Sequence, residues 1–257
     1  MTADAAVQLT GRVLHCSISS AAQGSSLDSA VLGEVVEALS GDTTGIGAVL
    51  LQGAGNNFCT GGDVTAFAAA TEPADLVGAM AASFHEFIHA LTTSPVPVIA
   101  AVTGWAAGAG MSTALAADVI VGCASTRFRP AYPSIGFSPD GGMSWSLPRL
   151  IGAARARDVL LTDTVVGGAQ AYAWGLLTRL VADDEVRDTA REVATALAHG
   201  PTGSHAAIRA LLRESGGRTL AEHLPAEAAA ITACAASSDG REGVQAFVGR
   251  RPAVFGR

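Results

Sequence analysis

Lysine is absent from the sequence, and all 16 basic residues are arginine. The 23 acidic residues outnumber them, so the formal net charge is −7 at pH 7. This charge gives the chain no general attraction for nucleic acid or for an anionic membrane surface, and we expect neither as a partner. A ligand that carries phosphate would have to be met by arginine, and Arg250 with Arg251 is the most obvious local cluster.

Cysteine is scarce. Its four positions, Cys16, Cys59, Cys123 and Cys234, show neither the spacing of a zinc site nor that of a disulfide framework. Free thiols are typical of a reducing compartment. Long apolar runs are also missing, since none reaches the ~18 residues of a membrane span, and the first residues lack the charged-then-apolar layout of a signal peptide. We therefore expect a soluble cytoplasmic protein without a metal site.

Apolar residues, by contrast, are plentiful. They make up 49% of the 257 residues, which is enough to bury the core of one large domain. Strand-like and helical segments alternate as far as Val181, which indicates parallel strands crossed over by helices. From Asp184 onward the pattern is wholly helical. We predict an α/β core at residues 1–183 and a helical region at residues 184–257.

Hydrophobic periodicity and breaker residues divide the chain into elements. The predicted strands cover residues 13–18, 45–51, 98–102, 119–123 and 177–181. The predicted helices cover residues 29–39, 64–70, 74–91, 153–161, 168–174, 185–198, 204–212 and 219–236, and a short apolar helix ends near Asp118. Asp28 is the predicted cap of the first helix, and Pro225 predicts a break or kink in the last.

Two glycine-rich turns carry the first candidate chemistry. One is the segment 58–64 (FCTGGDV), and the other contains Gly108 and Gly110 in the segment 106–111 (AAGAGM) at the head of a helix. Glycine lets a backbone bend sharply and approach a ligand closely, and the first N–H groups of a helix have no intrahelical partner. Such groups suit a negative charge that develops on oxygen. The alternative is that both turns serve the structure only.

In order and spacing, these turns resemble those of the enoyl-CoA hydratase/isomerase family, the crotonase fold. Three further segments carry the resemblance over nearly the whole chain: 136–152 (GFSPDGGMSWSLPRLIG), 169–181 (AQAYAWGLLTRLV) and 242–255 (EGVQAFVGRRPAVF). It implies an α/β fold, a crotonase-like spiral of ββα units followed by a helical C-terminal trimerisation region. It also implies an acyl-CoA thioester substrate, a homotrimer or a dimer of trimers, and no cofactor apart from the coenzyme A of the substrate.

The resemblance also implies how the turns act. Members of the family hold the thioester oxygen with two backbone N–H groups while an enolate forms, and the matching residues are Gly62 and Ala109. Hydratases of the family use two glutamates, whose positions here carry Ser112 and Tyr132. Addition of water needs one group to activate water and another to protonate carbon, so hydration of the usual two-glutamate kind is not expected.

Asp140 is the predicted acid/base. It stands in the phrase IGFSPDGG, which resembles the Asp-dependent enoyl-CoA isomerases, including the phenylacetate-pathway type. The resemblance implies that Asp140 removes a proton from C2 of the thioester and returns it to C4, shifting a 3-enoyl group to a 2-enoyl group. A carboxylate whose pKa is raised by desolvation can do both. The alternative is that Asp140 caps a helix beginning at Gly141 or Gly142.

The predicted substrate-binding residues follow from the same resemblance. They are Thr60, Asp63, Val64, Phe67, Ser112, Tyr132 and Arg250. Tyr132 would orient Asp140, bind substrate or form an aromatic wall, and Ser112 would otherwise bond to its own helix. The sequence does not indicate which acyl group is bound.

His85 and His89 stand one helical turn apart. Without a third ligand in view, their spacing predicts an exposed helix face rather than a metal site. In the chlorobenzoyl-CoA dehalogenase branch of the family, however, a histidine on this helix activates water, and His85 falls near its position. We therefore keep two alternatives to isomerisation. One is a hydrolase, dehalogenase or hydratase that uses Asp140 with His85, and the other is a non-catalytic acyl-CoA-binding paralogue.

Overall fold

The structure is a computed structural model, and it describes residues 6–256. Residues 1–5 of the predicted core region and Arg257 of the predicted helical region lie outside the described residues. Between residues 6 and 256, no helix is long and apolar enough to cross a membrane. The same part of the chain contains no group of three or more His, Cys, Asp or Glu side chains that could hold a metal ion.

Strands and helices alternate along most of the chain. The strands are β1 (Val7–Thr10), β2 (Val13–Ser17), β3 (Ser19–Ser20), β4 (Ser26–Leu27), β5 (Ala48–Gln52), β6 (Val98–Val102), β7 (Trp105–Ala107), β8 (Val119–Cys123), β9 (Arg127–Arg129), β10 (Val166–Gly167) and β11 (Arg179–Val181). The helices are α1 (Ser29–Ser40), α2 (Val64–Ala69), α3 (Pro73–Thr93), α4 (Ala109–Leu115), α5 (Met143–Ile151), α6 (Ala153–Thr162), α7 (Gly168–Trp174), α8 (Val186–Ala198), α9 (Thr202–Ser215), α10 (Leu220–Ala236) and α11 (Ser238–Val248). Two short 3-10 helices cover Ala21–Gln23 and Pro133–Ile135.

The centre of the fold is a six-stranded sheet in the order β1-β2-β5-β6-β8-β11. Strand β1 runs antiparallel to β2, and the other neighbouring pairs are parallel. Parallel pairing follows from helical crossovers, which return the chain to the same end of the sheet. The sequence prediction missed β1, because its residues gain hydrogen bonds to β2 but bury little apolar surface.

Both faces of this sheet are covered. On one face, Val49 and Leu51 of β5 join a large apolar core that includes Phe87 of α3. On the other face, Leu50 of β5 and Ile99 of β6 pack with α8. Because neighbouring residues of a strand point to opposite faces, two buried faces require continuous apolar strands. Helix α8 thus covers the sheet although it follows the predicted boundary after residue 183, and the division of the chain at that point stays a prediction.

A smaller sheet in the order β10-β9-β7 positions the second glycine turn. Its strand β7 is joined to the segment after β5 by a bridge between Cys59 and Ala106. The two glycine turns therefore meet beyond the carboxyl ends of β5 and β6. Ligands of open α/β sheets bind at this edge.

Helices α9, α10 and α11 bury few side chains of their own. Helix α10 runs through Pro225 without being divided, so the helix does not break there, and the kink that was the other expectation stays a prediction. The chain is divided instead at Ser237, whose hydroxyl accepts a bond of 2.9 Å from the N–H of Gly240 and caps α11. Several large apolar side chains on these helices are exposed, among them Leu220, Ile231 and Phe247. The homotrimer or dimer of trimers stays a prediction.

Candidate active site

A cavity of about 880 Å³ opens where the two glycine turns meet. Its walls come from both turns, from α2 and α3, and from the segment 131–140. Most of its lining is apolar, including Phe67, Val77, Met80 and Phe137. Among the described residues that line it, Asp140 is the one Asp, Glu, His or Arg residue. An apolar chamber with few polar groups is typical of a small-molecule site.

The backbone wall of the cavity consists of the two glycine turns, residues 59–62 and 106–109. The N–H of Cys59 donates to the carbonyl of Trp105 over 3.0 Å, and the N–H of Ala107 donates to the carbonyl of Cys59 over 2.9 Å. A Cβ added to Gly108, which has a φ of +53°, would lie 3.5 Å from the Cα of Gly61. The turns are therefore in direct contact, and glycine permits it.

Two N–H groups of this wall are free to bind an oxygen atom. Gly62 and Ala109 both line the cavity, and in the backbone hydrogen bonds among residues 6–256 neither N–H is a donor. Ala109 is the first residue of α4, so its N–H has no partner within the helix. A pair of such donors in an apolar cavity suits an oxygen that gains negative charge.

Asp140 belongs to a second wall of the cavity, the side-chain wall, which it forms with Tyr132. Its Oδ1 accepts a hydrogen bond of 2.5 Å from the hydroxyl of Tyr132, which also lines the cavity. Burial raises the pKa of Tyr132, and the neighbouring Asp140 carboxylate raises it further, so the phenol stays a hydrogen-bond donor. The helix-cap alternative is wrong: α5 begins at Met143 after Gly142, and the carboxylate is turned to Tyr132 instead.

Ser112 and His85 lie behind this wall and contact the backbone of the Asp140 loop. Ser112 is buried outside the cavity lining, and its hydroxyl donates to the carbonyl of Asp140 over 2.9 Å. The N–H of Gly141 donates to Nε2 of His85 over 3.3 Å. His85 itself lines a separate, shallower groove together with His89. Sequence reasoning missed both contacts because no local pattern links residues so far apart in the chain.

The other predicted binding residues divide into two groups. Thr60, Val64 and Phe67 line the cavity. Asp63 does not, because its carboxylate caps α2 by accepting bonds from the N–H groups of residues 65 and 66. The side-chain hydrogen bond from Thr65, with these backbone bonds, holds the pKa of Asp63 below its usual value. Within the described chain, Arg250 is also outside the lining.

Cys59 has no nucleophilic role in this arrangement. Burial raises the pKa of its thiol to about 12, so it stays protonated at neutral pH. Its backbone, rather than its sulfur, contributes to the wall.

Comparison with known proteins identifies the family. The family model described as enoyl-CoA hydratase/isomerase matches residues 12–257. The chain belongs to the enoyl-CoA hydratase/isomerase family. It is an enzyme of the crotonase superfamily, as the sequence motifs predict.

Two curated relatives illustrate the range of chemistry in the crotonase superfamily. The 1,2-epoxyphenylacetyl-CoA isomerase of Escherichia coli strain K12 is 36% identical over 228 residues, which is 88% of this chain and 87% of that protein. The 4-chlorobenzoyl coenzyme A dehalogenase-1 of Arthrobacter sp. is 33% identical over 177 residues, which is 68% of this chain and 64% of that protein. Membership of the family therefore leaves the reaction to be inferred from the site.

Solved structures establish the fold. The enoyl-CoA hydratase from Polaromonas sp. JS666 superposes with a TM-score of 0.90 at 31% identity, covering 96% of this chain and 97% of that chain. The predicted crotonase fold with its helical C-terminal region is confirmed.

Proposed function

We propose that this protein is an acyl-CoA isomerase that shifts a double bond from the 3-enoyl to the 2-enoyl position. One observation carries the proposal: the described lining of the cavity contains a single carboxylate, that of Asp140, together with the unpaired N–H groups of Gly62 and Ala109. Isomerisation needs one group that takes and returns a proton and one site that holds an enolate oxygen. The cavity offers one of each.

The proposed reaction has two proton transfers. The thioester oxygen accepts hydrogen bonds from Gly62 and Ala109, and the Asp140 carboxylate removes a proton from C2 of the acyl group. The electron pair of the broken C–H bond moves into the enolate, whose negative charge lies on the bonded oxygen. The carboxylic acid of Asp140 then returns the proton to C4, and the double bond comes to rest between C2 and C3. Atoms and charge balance without water or another reactant.

Tyr132 supports this cycle by its hydrogen bond to Asp140. Its phenol is a donor, so it binds the ionised carboxylate and fixes the direction of the second oxygen. Burial keeps the phenol protonated, and it cannot replace the base that a hydratase needs. Ser112 is no substitute either, because it is buried and bonded to the Asp140 carbonyl.

The proposed substrate is an acyl-CoA thioester with an apolar acyl group. The lining of α3 and the segment 131–140 suits such a group, and the isomerase relative from E. coli carries the name of a ring-derived acyl-CoA. Coenzyme A enters as part of the substrate, and we propose no separate cofactor. A homotrimer or dimer of trimers in the cytoplasm, in which Arg250 meets the coenzyme A phosphates, completes the proposal.

The hydrolytic alternative draws support from the dehalogenase relative. It requires His85 to activate water beside the acyl group. In this structure His85 does not line the acyl cavity, and its Nε2 accepts the N–H of Gly141. These contacts favour isomerisation.

The test is a panel of 3-enoyl-, 2-enoyl- and aromatic-ring-derived acyl-CoAs, with the product mass measured for each. A product of unchanged mass that disappears in Asp140→Asn is the expected result, and Asp158→Asn on the exposed face of α6 is the control. A gain of one water, a free acid or a released halide would overturn the proposal in favour of hydration or hydrolysis. Tight binding without any product would favour the non-catalytic alternative.

A further inference from the structure

The peptide group that joins Asp140 to Gly141 is held at both ends by side chains from other elements. Its carbonyl oxygen accepts a bond of 2.9 Å from the hydroxyl of Ser112 in α4, and one of 3.2 Å from the N–H of Met143. Its N–H donates over 3.3 Å to Nε2 of His85 in α3. The consecutive helices α3 and α4 therefore bind one peptide unit next to the cavity.

Packing around Gly141 restricts this peptide unit further. Gly141 has a φ of +58°, and a Cβ there would lie 2.2 Å from Cε1 of Phe84 and 2.9 Å from the Cβ of Ser112. No larger residue fits without moving the ring of Phe84, which is buried. The loop therefore lies directly between α3 and α4, so a shift of either helix changes where Asp140 stands.

We infer that His85 and Ser112 are positioning residues for Asp140, an inference that rests on the proposed function. They fix the backbone of Asp140, while Tyr132 fixes its carboxylate. A base that removes and then returns a proton at two carbon atoms must stay in reach of both. Three separate contacts therefore hold residue 140 in place beside the cavity: Ser112 at its carbonyl, His85 at the next N–H and Tyr132 at its carboxylate.

His85 can hold the N–H of Gly141 only through a free electron pair on Nε2. For that nitrogen to accept the N–H of Gly141, it must carry no hydrogen of its own. Glutamine carries an amide oxygen at a similar reach and preserves an acceptor, whereas leucine has none. His89 lies one turn away on α3, lines the same groove and accepts no bond from the Asp140 loop among the described contacts, so it is a matched control.

The experiment compares His85→Leu, His85→Gln and His89→Leu in steady-state isomerisation. We expect kcat of His85→Leu to fall about 10-fold to 100-fold with KM nearly unchanged, because small displacements of a catalytic group cost this much. His85→Gln should recover most of the loss, and His89→Leu should match the wild type. Equal kcat in His85→Leu and His89→Leu, or no recovery in His85→Gln, would overturn the role of His85.

Ser112→Ala tests the other end of the peptide against Thr113→Val. Thr113 is buried in the same helix, but its hydroxyl donates to the carbonyl of Ala109 and does not contact the Asp140 loop. We expect kcat to fall in Ser112→Ala and to persist in Thr113→Val. A lower kcat in Thr113→Val than in Ser112→Ala, or an unchanged kcat in both variants, would overturn the role of Ser112.

Two further measurements separate this inference from the proposed function. Hydrogen exchange of the peptide that contains Gly141, followed by mass spectrometry, should speed up in His85→Leu and stay slow in Asp140→Asn. Full turnover by Asp140→Asn would overturn the proposed function, and the inference with it. Suppose instead that Asp140→Asn is inactive while His85→Leu and Ser112→Ala keep full activity and slow hydrogen exchange. That result would overturn the positioning inference alone.

Discussion

The two walls of the cavity present different chemical groups, main-chain N–H groups on one and side chains on the other. The backbone wall offers main-chain N–H groups, and its shape depends on glycines that let two turns touch. The side-chain wall offers Asp140 and Tyr132, supported from behind by His85 and Ser112. In the proposed reaction, the first wall would stabilise the enolate of any thioester. The second wall would decide which proton moves, so the proposed reaction depends on the side-chain wall for its specificity.

The walls also differ in burial. Cys59 and Ala106 of the backbone wall are completely buried, although Thr60 is exposed and Gly62 is half-buried. In the side-chain wall Tyr132 and Asp140 are half-buried, and residues 133–138 beside them are exposed. The buried part of the backbone wall is fixed by packing. A wall formed by a surface segment needs specific hydrogen bonds to stay in place, and the contacts around Asp140 supply them.

The largest effect on stability and activity is expected from a methyl group placed against the backbone wall. In Gly110→Ala the new Cβ would lie 2.2 Å from the carbonyl oxygen of Cys59 and 2.7 Å from its Cβ. We expect a loss of about 3 kcal/mol or more in stability, because buried backbone has little room to move, and activity at background level. Thermal unfolding and the isomerase assay measure both.

Gly33→Ala is the control for that variant. Gly33 lies in α1 with nothing within 4 Å of an added Cβ, so we expect stabilisation of about 0.5–1 kcal/mol. Equal stability of Gly110→Ala and Gly33→Ala would contradict the close contact of the two turns.

The next largest effect is a fall in kcat caused by a change in the side-chain wall. Gly141→Ala forces a methyl group toward the ring of Phe84, and we expect kcat to fall about 100-fold through displacement of Asp140. Gly136→Ala has a similar left-handed φ in the same segment but open space around its Cβ. It should lose only about 1–2 kcal/mol of stability from backbone strain. If both variants keep the same kcat, the packing of Gly141 does not control Asp140.

A smaller change is expected for Tyr132→Phe. The variant removes the 2.5 Å bond to Asp140 but keeps the ring, so we expect kcat to fall about 10-fold, a typical value for one hydrogen bond to a charged group. Tyr172→Phe, on the exposed face of α7, is the control. Steady-state kinetics measure kcat of both variants. An unchanged kcat in Tyr132→Phe would mean that the phenol does not orient the base.

The smallest expected effect is on stability at alkaline pH. Burial raises the pKa of Cys59 from 9.0 to about 12, so folding holds the thiol protonated while the unfolded chain releases its proton above about pH 9. The contribution of this thiol to the free energy of unfolding is fully present below pH 9. It is lost as the pH rises toward 12, by at most about 1.4 kcal/mol per pH unit.

Denaturant unfolding at a series of pH values measures that slope. Cys59→Ala should make the decline between about pH 9 and pH 10 shallower, while Cys234→Ala, which removes a partly exposed thiol, should not. Identical slopes in the wild type and Cys59→Ala would show that the backbone wall is accessible to water.

Much of the backbone wall was predictable from sequence. Glycines at 61, 62, 108 and 110 after two apolar strands indicate tight turns at one edge of a sheet, and the structure brings those turns together. The crotonase fold followed from the same motifs. Local patterns suffice here because the conformation of each glycine is a local property.

The side-chain wall was predictable only in part. The phrase around Asp140 indicated an acid/base or a helix cap, and the start of α5 after Gly142 together with the contact to Tyr132 excludes the cap. Ser112 looked like a pocket residue from its position, but it bonds to a backbone carbonyl 28 residues away. Asp63 was assigned to substrate, and the sequence did not indicate that its carboxylate caps α2. Such contacts depend on how α3, α4 and the Asp140 loop pack, which no short segment encodes.

The most direct test of the proposed chemistry uses a 3-enoyl-CoA with both C2 hydrogens replaced by deuterium. Wild-type protein should yield a 2-enoyl product that has lost one deuterium from C2, with the label found at C4 or exchanged with solvent. Asp140→Asn should bind the same ester with similar affinity and convert it about 10²-fold to 10⁴-fold more slowly, the usual contribution of one general base. Wild-type conversion rates in Asp140→Asn, or a product that keeps both C2 deuterium atoms, would contradict the assignment of Asp140 as the group that moves the proton.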